Sequence, residues 1–226
     1  MAVPPSLTLP EEVLLLALRD EQGTVASGAM LAQALGGAIL AELLLSERLH
    51  VHEDRKPMVQ VRSRKPAGDE LLDECLRRVS DANRRAGPQA WVSRFGNTRQ
   101  LKHRVARSLC RKGVLREDED RILGLFRRKL YPERDPAPER AVLARLDAAI
   151  FSVRSDLEAR TVVLVALADA TGLLRPNFPK AKLKAAKKRI KQIGEGEVVG
   201  KATREAVQAV QAAVMVACMV PVIVSN

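Results

Sequence analysis

The side chains able to do covalent or metal chemistry are few and scattered. His50 and His52 lie two apart in an alternating stretch, so a strand would put both on one face, with Glu53 and Asp54 beside them. A metal site can begin that way, but two solvent-facing strand histidines is the simpler reading. His103 stands alone in a basic helix. Asp69, Asp73 and Glu74 gather at a helix start, where the backbone dipole favours negative charge without any acid–base role. Cys75 and Cys110 fall on apolar faces, and with Cys218 they make an odd, widely spaced set. That set suggests neither a disulfide framework nor a thiolate zinc site, and it fits a reducing compartment. No GxGxxG follows a strand, and there is no P-loop and no GxSxG. The cluster Gly23, Gly28, Gly36-Gly37 lacks the Lys-Ser/Thr sequel of a phosphate loop. We expect no enzyme, no cofactor and no metal.

Charge is the stronger signal. The chain of 226 residues carries 38 Lys+Arg against 27 Asp+Glu, a net +11. Seven cations and no acid occupy 180–191: Lys180, Lys182, Lys184, Lys187, Lys188, Arg189 and Lys191. A solvated helix face is the plain account of that run. Between 99 and 129 lie eleven bases against four acids, Glu117 to Asp120. Such clusters attract polyanions, whether anionic lipid or nucleic acid. Here the basic helix runs straight into an apolar hairpin with Ile122, Leu123, Leu125 and Phe126. Positive charge beside exposed apolar groups is a membrane-surface pairing. Aromatics are only 3% of residues, too few for a fold that reads bases by stacking.

The elements that must position these groups read as mainly helical. Thr8 and Glu11 have capping-box spacing, with Pro10 in the first turn, so a helix opens at Thr8 and runs to Asp20. A second helix, 28–45, is apolar nearly all round and therefore central. Gly36-Gly37 in its middle costs about 1 kcal/mol per residue against alanine, which implies close approach of another backbone. Residues 48–63 read as a hairpin. Helices follow over 69–85, around Trp91 and over 99–112, the last closed by Gly113. Residues 114–130 read as a second hairpin, with Val114-Leu115 as one arm and Glu117–Asp120 as its turn. Helices over 138–151, 156–171, 180–192 and 200–220 complete the chain. The last holds the apolar run Ala212–Val220. That run is short of the roughly 20 residues of a membrane span and reads as a buried core helix.

Several blocks in order resemble the Golgi phosphoprotein 3 family. They are Glu11-Glu12-Val13-Leu14-Leu15-Leu16-Ala17-Leu18-Arg19-Asp20, Gly36-Gly37-Ala38-Ile39-Leu40-Ala41-Glu42-Leu43, Pro66–Glu74, Trp91, Leu109–Leu115, Asp156–Arg160 and the apolar run Val162–Ala170. The likeness spans about 8–220. It implies a mainly α, single globular domain, a central helical bundle ringed by amphipathic helices with one or two short β-hairpins. The domain would cover 8–226 after an N-terminal extension, 1–7. It also implies a peripheral membrane adaptor that binds phosphatidylinositol 4-phosphate on the cytoplasmic membrane face and holds cytosolic tails of membrane enzymes. The family's lipid-headgroup cations match Arg99 and Lys102. Its two other headgroup positions fall near Ser27 and on Gly36, neither of which can supply a charge or an aromatic ring. The hairpin residues Ile122, Leu123, Leu125 and Phe126 correspond to the family's membrane-contact and homo-oligomer element. The 26 Arg against 12 Lys, with abundant Ala, read as a high-GC bacterial composition. A protein–protein adaptor without lipid specificity and a basic nucleic-acid-binding protein are the alternative readings.

Overall fold

The centre of the molecule is a helix with no polar side. The computed structural model describes residues 6–19, 24–25, 30–52, 56–122, 126–153 and 156–197. In chain order its elements are α1 (Leu9–Ala17), β1 (Leu18–Arg19), β2 (Thr24–Val25), α2 (Leu31–Leu45), β3 (Leu49–His52), β4 (Met58–Val61), α3 (Glu70–Ser80), α4 (Pro88–Gly96) and α5 (Leu101–Arg111). They continue with β5 (Asp118–Ile122), β6 (Phe126–Leu130), α6 (Ala137–Phe151), α7 (Ala159–Ala170), α8 (Leu174–Asn177), α9 (Lys180–Ala185) and α10 (Lys187–Gly194). The strands form three antiparallel pairs, β1–β2, β3–β4 and β5–β6. The protein is a mainly α single domain.

Helix α2 packs chiefly against α4 and α1, with α7 also against it. Residues Ala34–Ala41 are all buried. Its glycine is explained by the α4 crossing: a Cβ on Gly36 would stand 2.3 Å from the carbonyl oxygen of Val92. Reciprocally, a Cβ on Gly96 would stand 2.5 Å from the Ala32 carbonyl oxygen. The two helices therefore meet backbone to backbone. Val162–Ala168 in α7 and every residue of α1 are buried too. Burying one leucine side chain contributes about 1.5–3 kcal/mol, so these three helices supply much of the apolar core.

The buried start of α1 is also the polar hub of the fold. The capping box forms, with Thr8 N–H donating to Glu11 at 2.7 Å. Leu9 N–H donates to Glu42 of α2 at 2.5 Å. Glu11 pairs with Lys112 at 2.6 Å, and Glu12 pairs with Arg145 at 2.8 Å and with Arg160 at 3.4 Å. These contacts occupy orphan helix N–H groups and give buried carboxylates their cations.

Several boundaries differ from the sequence reading. The first helix stops at Ala17, and Leu18-Arg19 pair with Thr24-Val25 as strands. The basic segment 180–191 is two helices broken at Ala186 rather than one. The second hairpin is displaced: Val114 and Leu115 are buried core residues, and Asp118–Asp120 of the acidic stretch expected as a turn open strand β5. The register shows why. Glu119 lies opposite Lys129 in the register, and the Lys129 ammonium pairs with Glu117 just before β5; such opposite-charge cross-strand contacts stabilise a ladder. Ser27, Leu123, Leu125, the helix expected at 200–220 and the side chains of Ile122 and Phe126 lie outside the described residues.

Candidate anionic-ligand face

Helix α5 separates its two faces cleanly. Leu101, Val105, Ala106 and Leu109 are buried, which leaves the basic side chains on the opposite arc at helical spacing. Before it, Gln100 adopts φ +55°, and this left-handed residue turns the chain sharply out of α4. Arg99, in that turn, is exposed and has no ion-pair partner among the described residues. Lys102 is half-buried and already has an interaction within the protein. The two expected headgroup cations thus sit on either side of the α5 N-cap.

Two further arginines gather at the same junction. Arg94, exposed on α4, holds its guanidinium 4.6 Å from the centre of the Trp91 ring. Such stacking orients a cation without neutralising it. Arg78 of α3 donates to the Thr98 hydroxyl at 2.8 Å and to the Arg94 carbonyl oxygen at 3.1 Å. It therefore ties down the end of α4 and the start of the connection. The Trp91–Arg94 pair was available in the sequence as an i, i+3 spacing. Arg78 was not, because its partners lie 16 and 20 residues away. Arg104 is held by Glu74 at 2.7 Å and so links α5 to α3.

The headgroup position that the family resemblance places on residue 36 has no room for a side chain in this fold, since Gly36 faces the α4 backbone. His103, next to Lys102, accepts or donates to the Tyr131 hydroxyl at 2.9 Å. Burial pushes its pKa below 6.5, and Lys102, Lys129 and Arg107 push it further the same way. Burial raises the Tyr131 hydroxyl to about 12. Cys75 is buried, with burial raising its thiol to about 12. His50 is half-buried and His52 exposed. Among the described residues no three His, Cys, Asp or Glu side chains are grouped to hold a metal ion. Nor is any described helix long and apolar enough to cross a membrane.

Fold and site together define a helical domain whose α4–α5 junction presents arginines to solvent. The Golgi phosphoprotein 3 (GPP34) family model matches residues 9–210. The chain belongs to that family. It is similar to vacuolar protein sorting-associated protein 74 of Schizosaccharomyces pombe, at 30% identity over 66% of this chain and 49% of the relative. The chain therefore spans about half the length of the curated relative it matches.

Proposed function

We propose that the protein is a peripheral membrane adaptor that docks on anionic phospholipid headgroups through the α4–α5 junction. Arg99 and Lys102 are the primary cations, and Arg94 is a third. The observation that carries this reading is the exposure of Arg94 and Arg99 at one junction, neither paired with a carboxylate among the described residues. Membership of the family supports phosphatidylinositol 4-phosphate as the lipid class, on the cytoplasmic membrane face. The closed Gly36 position supports a contact set different from the family's, weighted toward general anionic charge. The β5–β6 hairpin is the companion element for membrane contact or self-association, and peptide tails of membrane enzymes are the proposed clients.

Vesicle sedimentation tests the reading. Phosphatidylcholine vesicles doped with phosphatidylinositol 4-phosphate or with phosphatidylglycerol should pellet the protein at low salt. Each cation near an anionic surface contributes about 1 kcal/mol. Arg99→Glu with Lys102→Glu should therefore abolish pelleting. Unchanged pelleting of the double variant would sink the reading.

A further inference from the structure

The basic segment of α9 and α10 lies apart from the α4–α5 junction. Helix α4 packs on α2, α2 on α7, and α7 on α10, so two helical layers stand between the two cationic surfaces. Part of the segment's charge is spent within the protein. Lys182 holds its ammonium 5.6 Å from the centre of the Phe151 ring, and Arg189 donates to the Ala149 carbonyl oxygen at 3.3 Å. Lys191 pairs with Glu195 at 3.6 Å. Lys180, Lys184, Lys187 and Lys188 are exposed and have no carboxylate partner among the described residues.

Beside these lysines a groove of about 440 Å³ opens between α7–α8 and α9–α10. Its lining is apolar where the helices meet, with Leu174 and Ile190 buried and Leu183 half-buried. Gly194 lines it as well, and nothing lies within 4 Å of its Cβ position, so the groove is open there. Lys187 and Lys191 form a cationic rim, and their methylene stems extend the apolar wall. Asp169 and Arg175 line it from the α7 and α8 side, one charge of each sign. The groove is therefore apolar within and positive along its α9–α10 edge.

We infer that α9, α10 and this groove form a docking site for an acidic amphipathic helix of a partner protein. Apolar residues of that helix, three and four apart, enter the groove. Its carboxylates meet Lys187 on the rim and Lys180, Lys184 and Lys188 beyond it. Those last three lysines lie outside the groove lining. A small amphiphile held in the groove leaves them unused, whereas a helix laid along α9–α10 engages them. A bilayer takes up apolar groups that project from a protein, not a recess between helices. The groove lining holds no aromatic ring on which a nucleic-acid base could stack. The site stands independently of the lipid reading.

Fluorescence anisotropy of the full chain with two labelled synthetic helices tests the assignment. One helix carries leucines at helical spacing flanked by glutamates, and the other has lysines in place of the glutamates. The acidic helix should bind, and the basic one should bind about tenfold more weakly or worse. Lys184→Glu with Lys188→Glu, both on exposed residues, should weaken the acidic helix about tenfold or more. Gly194→Leu, which adds a side chain to the groove wall where space is open, should weaken it to a similar degree. Circular dichroism should stay unchanged in both variants. Equal affinity for the two helices, or binding of neither, overturns the inference. Loss through Gly194→Leu alone marks a ligand confined to the groove, and loss through the lysine variant alone marks charge attraction without the groove; either overturns it. Pelleting on anionic vesicles that disappears with Lys184→Glu and Lys188→Glu assigns the face to a bilayer and overturns it too.

Discussion

Arg160 and Glu42 meet at 3.1 Å although 118 residues separate them in the chain. The same guanidinium donates to the Leu7 carbonyl at 2.6 Å and pairs with Glu12. One side chain from α7 therefore fastens the entry to α1 and neutralises carboxylates from α1 and α2. Removing one partner of a buried pair typically costs about 3–5 kcal/mol. The Arg160 side chain keeps 26% of its exposure, which puts Arg160→Met at the lower end, about 3 kcal/mol. Urea unfolding monitored by circular dichroism reads this as a lower midpoint with unchanged slope. A midpoint equal to the parent would remove the network from the account of stability.

Gly36→Ala tests the helix crossing. The new methyl would meet the Val92 carbonyl oxygen at 2.3 Å, and both sides of the contact are backbone. Overpacking of this kind costs about 1–3 kcal/mol or more. Gly194→Ala is the matched control, because nothing lies within 4 Å of its Cβ position. The control should leave Tm unchanged or slightly raised, since alanine is the better helix former. Similar Tm values for both variants would contradict the backbone contact.

His103 should make stability depend on mild acid. Its pKa is lowered in the fold, chiefly by burial and then by the surrounding cations, so the unfolded chain binds the proton more readily. Folding stability contributed by the neutral ring is present above the ordinary value of 6.5 and is lost as pH falls below it. His103→Gln, which stays neutral, should flatten the stability profile between pH 7 and 5. A profile of the same steepness would assign the acid sensitivity to other groups.

Arg94 and Arg104 should separate binding from folding. Arg94→Gln removes one exposed cation and should weaken anionic-vesicle binding about fivefold, the equivalent of roughly 1 kcal/mol, with little change in Tm. Arg104→Gln leaves Glu74 unpaired and should lower Tm while vesicle affinity stays nearly constant. The reverse pattern would place the lipid face around Arg104. A salt titration adds a second readout, because loss of a surface charge pair reduces the ionic-strength dependence of binding.

Sequence determined the elements whose signals are local. The Thr8/Glu11 capping box, the all-apolar α2, the hairpin at 48–63 and the close approach at Gly36 all depend on spacing within a few residues, and each is present in the structure. Net charge and its placement on α5 were equally legible, because the buried arc Leu101–Leu109 follows directly from helical periodicity. What tertiary structure decided is which charges are already spent. Arg104 and Arg99 look alike in the sequence, but Glu74 comes from another helix to occupy the first and nothing described occupies the second. Asp118–Asp120 lie in a strand whose register sets Glu119 opposite Lys129, and Lys129 pairs with Glu117, contacts beyond the reach of a turn rule. Glu11 shows the same limit: its capping role is visible in four residues, while its pairing with Lys112 exists only once the end of α5 packs against α1. Electrostatic pairing acts through space, so it is fixed only when distant segments are brought together.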